Sequence, residues 1–393
     1  MMARLLMTLL AAGCLSLWTG AASASESRMN SLCGSPLVMD MTDIADFPGL
    51  LTIYGNAGFV TVKPLAPTGN AGLLVGINDI AFGVWVLRDP RFDDIATADA
   101  VFDMGNSAGV VIPDVHNVAD LFFGMSNGFG LRASVGAGLE SVDAVDDGDV
   151  DSTGASALSI EVQPGFTLLT DDYQGDFGLG VTVNHYAISI GGDDVYTGRL
   201  IPSVLLRHRS TIGNFAQPVN WVVDFLLTRR SYSVRHNPSN DKGTVGDWLT
   251  TLMVGPRLNL PGNFTVTAGL SAQFEARGGK LDGDRTPRRF GIGTPGLMLA
   301  AELLVREILA IRAGVDYGVY WGTVRIYDAD DDLVGKLRLM GKRFNWSAGL
   351  GLRLRAFEID GTLSQQLILD GPDMIGGRAP GFLGMLSATY RWL

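Results

Sequence analysis

The stretch Phe344-Asn345-Trp346-Ser347-Ala348-Gly349-Leu350-Gly351-Leu352-Arg353-Leu354-Arg355 decides the fold. Phe344, Trp346, Leu350, Leu352 and Leu354 fall on one face of an extended chain, and Asn345, Ser347, Arg353 and Arg355 on the other. A strand of a soluble sheet runs about five or six residues, whereas a tilted strand crossing a bilayer needs roughly 9–11. Length and two-sidedness together predict an all-β fold: a transmembrane antiparallel barrel with lipid outside and a wet or filled lumen inside.

The same phase runs through other segments. In 263–276, Phe264, Val266, Ala268, Leu270, Ala272 and Phe274 are assigned to lipid, and Thr265, Thr267, Ser271, Gln273 and Glu275 to the lumen. In 217–229, Val219, Trp221, Val223, Phe225 and Leu227 face out, leaving Asn220, Asp224 and Thr228 inside. In 357–366, Phe357 and Ile359 oppose Glu358, Asp360, Thr362, Ser364 and Gln366. A slip of one residue would place the charged set in hydrocarbon, so register is well specified. Leu297 to Gly314 reads almost as well as an amphipathic helix, with Glu302 and Arg306 spaced i,i+4. Two strands turning at Arg306-Glu307 are preferred, because clean alternation resumes and continues to Trp321.

Short connections are expected at Asn78-Asp79, Asn127-Gly128, Asp171-Asp172-Tyr173, Pro261-Gly262, Arg306-Glu307 and Arg355-Ala356. Longer polar excursions separate them at 89–117, 140–155, 191–197, 229–245, 277–293, 323–342 and 370–380. Short turns on one side and long loops on the other is the asymmetry of outer-membrane barrels, and about 14 strands (14–16) are expected.

Composition fits this reading. The 51 glycines are close to twice the usual share, and no segment after the leader supplies the ~20 uninterrupted apolar residues of a membrane helix. Residues 1–24 read as a secretory signal: Arg4, an apolar run from Leu5 to Trp18, and the small-residue site Ala22-Ser23-Ala24 before Ser25. Ala11-Ala12-Gly13-Cys14 matches a lipoprotein signal poorly. With that leader removed, Cys33 has no second cysteine to pair with. A net charge of −11 argues against a nucleic-acid partner. The division is then 1–24 signal, 25–56 lead-in or plug, and 57–393 barrel. Met39 to Leu51 predicts a short helix ended by Pro48-Gly49. Two readings of it stay open: a plug tucked into the lumen, or a periplasmic lead-in fixing the first strand.

Asp43 to Leu51, followed by Tyr54-Gly55-Asn56 and the glycine-rich hairpin 71–88, resembles the fatty-acid-transporter-like group of outer-membrane barrels. The likeness extends over the leader, the N-terminal segment, the long strands and an aromatic final strand. It implies about fourteen strands, a small N-terminal hatch and passage of hydrophobic molecules, although some relatives serve secretion or surface attachment. In the last strand Phe382, Leu386, Tyr390 and Trp392 share a face, and Leu393 then follows, one residue past the aromatic ending that such barrels present to the assembly machinery.

By phase, Arg207, Arg209, Asp224, Arg257, Glu275, Glu302, Arg312, Asp316, Arg353, Arg355, Glu358 and Asp360 point inward. Mixed charge there either lines a selective path or forms structural ion pairs filling the cylinder. Acidic runs hold Asp146, Asp147 and Asp149, and Asp330, Asp331 and Asp332. Neither completes a twelve-residue calcium loop, so solvated loops are the plainer reading and weak divalent binding the sharper one. Gly105-Asn106-Ser107-Ala108-Gly109 has the spacing of a hydrolase elbow, yet β-branched residues and Pro113 follow where that motif needs a helix. His116, His185, His208 and His236 form neither a triad nor a zinc pattern. Aromatic residues near strand ends, Trp221, Trp248, Trp321 and Trp346 among them, fit interface girdles. No enzyme, metal or cofactor is expected. The expectation is a bacterial outer-membrane barrel in contact with lipid, lipopolysaccharide and the barrel assembly machinery, permeable to small hydrophobic molecules. Its alternatives are a non-transporting barrel for secretion, attachment or display through long loops, and an outer-membrane hydrolase.

Overall fold

The computed structural model describes residues 26–63, 68–88, 116–146, 149–190, 193–199, 202–213, 217–236, 241–281, 284–285, 288–327, 332–363 and 383–392. The expected signal 1–24, the Ser107 elbow, Asp147, Asp330, Asp331 and Leu393 lie outside these residues, as do the side chains of Asp146, Asp149, His116 and His236.

The strands are β1 (Ala57–Lys63), β2 (Thr68–Ile77), β3 (Ile80–Val86), β4 (His116–Met125), β5 (Phe129–Asp146), β6 (Asp149–Leu169), β7 (Tyr173–Ile190), β8 (Asp193–Arg199), β9 (Pro202–Ile212), β10 (Val219–His236), β11 (Asp241–Leu260), β12 (Phe264–Leu281), β13 (Asp284–Arg285), β14 (Arg288–Val305), β15 (Leu309–Tyr327), β16 (Leu333–Leu354), β17 (Phe357–Leu363) and β18 (Leu383–Arg391). Each pairs antiparallel with its neighbours, and β1 pairs with β18, which closes the cylinder. Both β8 and β9 bridge β7 and β10, and both β13 and β14 pair with β12. The segments therefore make 16 strands, the upper end of the expected range.

Tight turns sit where the sequence places them, because the residues there accept a left-handed backbone: Asn78 at φ 55, Gly128 at φ 87 and Gly262 at φ 83. Arg306 at φ 50 and Glu307 at φ 59 form the turn between β14 and β15, so Leu297 to Gly314 is two strands. A further turn between β9 and β10 begins at Gly213, φ 112.

Five of the expected long loops need correction. Residues 140–155, 191–197, 229–245, 277–293 and 323–342 are largely ladder: β5 and β6 stay paired to Asp146↔Asp149, β7 and β8 to Ile190↔Asp193, β10 and β11 to His236↔Asp241, β12 and β13 to Leu281↔Asp284, and β15 and β16 to Tyr327↔Leu333. The pattern misled because it rests on an apolar outward face, which fails at the outward Arg325, Lys336 and Arg338, while backbone pairing needs no apolar face.

The outer surface carries the apolar phase. Leu270, Phe274, Trp221, Leu350, Leu352 and Leu354 are exposed outward, whereas Thr267, Asn220, Asp224, Thr228, Ser347, Glu358 and Asp360 are buried inward. A closed antiparallel barrel with an apolar skin and a polar interior is an outer-membrane protein. Leu270 stands near the middle of the belt and is 63% exposed. Leu270→Arg is expected to cost ~2–4 kcal/mol of folding free energy, read from denaturant titration in bilayers. Loss below ~0.5 kcal/mol would place Leu270 away from lipid.

Candidate functional site

Residues 26–54 fold inside this wall. They comprise a helix Glu26–Ser31, 3-10 turns Met41–Ala45 and Pro48–Leu50, and a helix Leu51–Tyr54. The single helix expected over Met39 to Leu51 is instead two short turns. Asp40 caps the first: its carboxylate accepts from Thr42 N–H at 3.0 Å, and Asp43 accepts from Asp40 N–H at 2.7 Å. Pro48 opens the second turn rather than ending a helix, since a first helical residue has no use for its N–H.

The segment touches the wall on all sides. Phe47, Leu50 and Leu51 pack with Leu74, Trp85 and Phe122. Met29, Leu32 and Val38 pack with Ala300, and Leu37 packs with Val222, Met253 and Met298. Ser27 hydroxyl donates to the Met385 carbonyl at 3.3 Å, and Ser347 stands 3.1 Å from the Cys33 amide. These partners lie within a dozen residues of the short turns, so the segment occupies the periplasmic half of the lumen. Close approach depends on wall glycines. A Cβ on Gly130 would fall on the Pro48 carbonyl, and one on Gly314 would stand 2.5 Å from the Leu32 carbonyl carbon. Part of the glycine surplus is explained by this contact.

Charge ties the segment down. Arg28 pairs with Asp40 of its own segment at 2.8 Å and with Glu302 of the wall at 2.9 Å. Glu302 also pairs with Arg312 at 2.5 Å, and Arg312 with Asp360 and with Glu358 at 3.3 Å. Asp43 pairs with Arg209 at 2.7 Å, and Arg209 with Asp176 at 3.1 Å. Asp46 pairs with Arg207, which reaches Asp224 at 3.5 Å. Phe47 lies beneath both guanidiniums, 5.4 Å from Arg207 and 4.9 Å from Arg209. Arg132 donates to the Ala45 carbonyl and pairs with Glu161, and Gln163 donates to the Asp46 carbonyl at 2.5 Å. Burial, partly offset by Arg28 and reinforced by Asp43, pushes the Asp40 carboxyl up to about 6.

Of the residues assigned inward by phase, Arg207, Arg209, Asp224, Glu302, Arg312, Arg353, Glu358 and Asp360 join this network. Glu275 pairs with Arg289 at 3.5 Å and Asp316 with Arg343 at 2.8 Å, both farther toward the outer end. Arg257 is half-buried on β11, opposite Asn220 and Thr267. Arg355 departs from the expectation. It sits exposed in the turn between β16 and β17 at φ 57, where strand phase no longer applies. Alternation read through β5 and β6 would also have found Arg132, Glu161 and Gln163. Nothing in the sequence marked Asp40, Asp43 and Asp46 as partners of distant arginines.

Above the plug the inward positions change character. Leu205, Leu226 and Leu249 follow the lumen phase, and on the outer halves of β15 and β16 Val324, Ile326, Leu337 and Leu339 share it. Leu337 is 54% exposed and Leu339 38%. Among the described residues no group of three or more His, Cys, Asp or Glu could hold a metal ion. His208 lies on the outer face, stacked on Phe177 at 4.2 Å, with Nε2 2.7 Å from Ser210 Oγ. Its Nδ1 meets the Asp176 backbone carbonyl at 3.1 Å rather than a carboxylate.

Cys33 tests the docking directly. Its Sγ is 3.1 Å from Ser347 Oγ, and burial pushes the thiol up from its ordinary range. Labelling by an impermeant thiol reagent is expected to be slow in the native barrel, and faster by about tenfold or more in Gly314→Ala, whose Cβ displaces the Leu32–Cys33 peptide. Equal rates would show that this contact does not hold the segment.

No family model and no curated protein sequence matches the chain. Among solved structures, a FadL homologue from Pseudomonas aeruginosa is similar at 10% identity, with 94% of this chain and 98% of that chain covered and a TM-score of 0.43. CdiB from Escherichia coli is similar at 11% identity, covering 86% and 63%, TM-score 0.42. The ferric yersiniabactin uptake receptor FyuA from Yersinia pestis is similar at 9%, covering 86% and 80%, TM-score 0.33. At this level the likeness adds nothing beyond the barrel itself.

Proposed function

We propose that this barrel takes small hydrophobic molecules from the outside and passes them inward under control of the N-terminal plug, in the manner of the fatty-acid-transporter-like group. The observation that carries the reading is the change along the lumen. Apolar side chains at Leu337, Leu339, Val324 and Ile326 stand in the outer vestibule, where a purely structural filling would place polar groups. A charge-clasped plug closes the periplasmic half beneath them. An apolar solute gains by leaving water for that surface, and onward passage requires the plug to yield.

Uptake of a radiolabelled long-chain apolar probe by cells producing the protein tests this. Leu337→Asp with Leu339→Asp is expected to lower uptake about tenfold, the loss of an apolar contact worth ~1.5 kcal/mol. Uptake indistinguishable from wild type, or no uptake by wild type above barrel-free cells, refutes the reading. The ribbons that β5–β6, β10–β11 and β15–β16 raise beyond the membrane support a second one, attachment or display. It predicts loss of surface binding, with uptake intact, on shortening them.

A further inference from the structure

Arg288, Arg325 and Lys336 stand side by side across three strands. Arg288 is opposite Arg325 in the β14–β15 ladder, and Arg325 is opposite Lys336 in the β15–β16 ladder. All three are exposed, and all follow the outward phase of Phe290, Ile292, Trp321, Met340 and Phe344. Arg338 lies one row lower, opposite Thr323, and Lys342 lower still, opposite Val319. From 288 to 292, 317 to 325 and 334 to 344, no outward position of these strands is acidic. Among the described residues none of the five cations has an ion-pair partner, although Arg288 lies 5.6 Å from the Tyr327 ring.

Like charges directly opposite in a sheet are destabilising, and ordinary solvation of a ribbon is served as well by mixed signs. A row of three cations with two more below it therefore points to an anion that is not part of the chain. Its height identifies the anion. Outward positions of β15 from Leu309 to Val319 span about 25 Å of tilted strand, the depth of the apolar belt. Trp321 then marks the outer interface, and Arg325 stands four residues beyond it, at the level of lipid headgroups. The side is extracellular, since both the plug and the short turns lie at the other end.

We propose that this face of β14–β16 binds the phosphate groups of the phosphorylated glycolipid of the outer leaflet, with Arg288, Arg325 and Lys336 as the primary contacts and Arg338 and Lys342 as flanking ones. Guanidinium groups suit phosphate because two parallel N–H donors match two oxygens. The apolar residues below the row, Phe290, Ile292 and Met340, would lie against the acyl chains of the same lipid. Asp332, the described acidic residue next in the chain before β16, supplies the competing outcome, internal neutralisation.

The test uses the full mature chain in detergent micelles, with bisphosphorylated lipid A as the probe and native mass spectrometry as the readout. Bound lipid A is expected on wild type and on Arg306→Gln, which alters an exposed cation at the opposite rim. Arg288→Gln/Arg325→Gln/Lys336→Gln is expected to lose affinity about a hundredfold, and lipid A stripped of its phosphates to bind wild type no better than that triple variant. Heat-modifiable migration verifies that each variant is folded; should the triple variant fail to assemble, Arg325→Gln alone decides, with an expected loss of about tenfold. Undiminished binding by the folded variant, or equal binding of dephosphorylated lipid A, overturns the proposal.

Discussion

Deleting residues 26–54 is expected to turn a barrel that conducts little into an open one. In planar bilayers the single-channel conductance should rise by about an order of magnitude or more, because a sixteen-stranded wall leaves an aqueous channel once its contents are removed. Selectivity should change as well. The deletion takes away Glu26, Asp40, Asp43 and Asp46 but only one cation, Arg28. Arg207 and Arg209 then lose their partners Asp46 and Asp43 while remaining on the wall. The emptied lumen is therefore expected to prefer anions, seen as a shift of reversal potential in a salt gradient. The barrel itself should survive, since closure is made by β1 with β18 and not by the plug. A folded deletion variant with unaltered conductance would mean that the plug does not occlude the path.

The second large effect is expected from Glu302→Ala. This carboxylate accepts from Arg28 Nε at 2.9 Å and from Arg312 Nε at 2.5 Å, and stands 3.8 Å from Arg353. It is the shared anion between plug and wall. Removing it leaves buried guanidiniums with less than their share of negative charge, and breaking such a pair costs ~3–5 kcal/mol. Part of that cost is avoidable if the plug withdraws and Arg28 reaches water. Two readouts are therefore expected to move together: lower stability in denaturant, and faster protease cleavage within 26–54 from the periplasmic side. Arg289→Ala is the comparison. That guanidinium is 39% exposed and 3.5 Å from Glu275, and its loss is expected to cost under ~1 kcal/mol because water screens the pair. Equal effects for the two variants would sink the idea that Glu302 is a clasp.

Much of the wall was legible because one physical rule wrote it. Lipid demands an apolar outward residue at every second position, so Phe264, Leu270 and Phe274 announced their face, and Thr267 announced the other. The rule weakened where its cause was missing. In the outer part of β15–β16 the outward face turns to Arg325, Lys336 and Arg338, the apolar outward rule no longer held, and ladders were read as loops. At Arg355 the strand had already ended, so phase misassigned it. Leu297 to Gly314 was ambiguous for a different reason. Leucine, alanine and paired Glu and Arg satisfy a helix of period 3.6 as well as a strand of period two, and the decision came from pairing with β12 and with the rest of β15.

The chain by itself determined that it forms a long-stranded cylinder in a membrane, which residues meet lipid, and where the tight turns fall. Those are local consequences of two-residue periodicity and of backbones that only Gly, Asn or their like accept easily. What fills the cylinder was decided by the tertiary structure alone. Asp43 meets Arg209, Asp46 meets Arg207 and Arg28 meets Glu302 across separations of 166, 161 and 274 positions. No periodicity encodes such pairings; they exist because closing the barrel wraps its 16 strands around one short segment, and a buried charge there must find an opposite one.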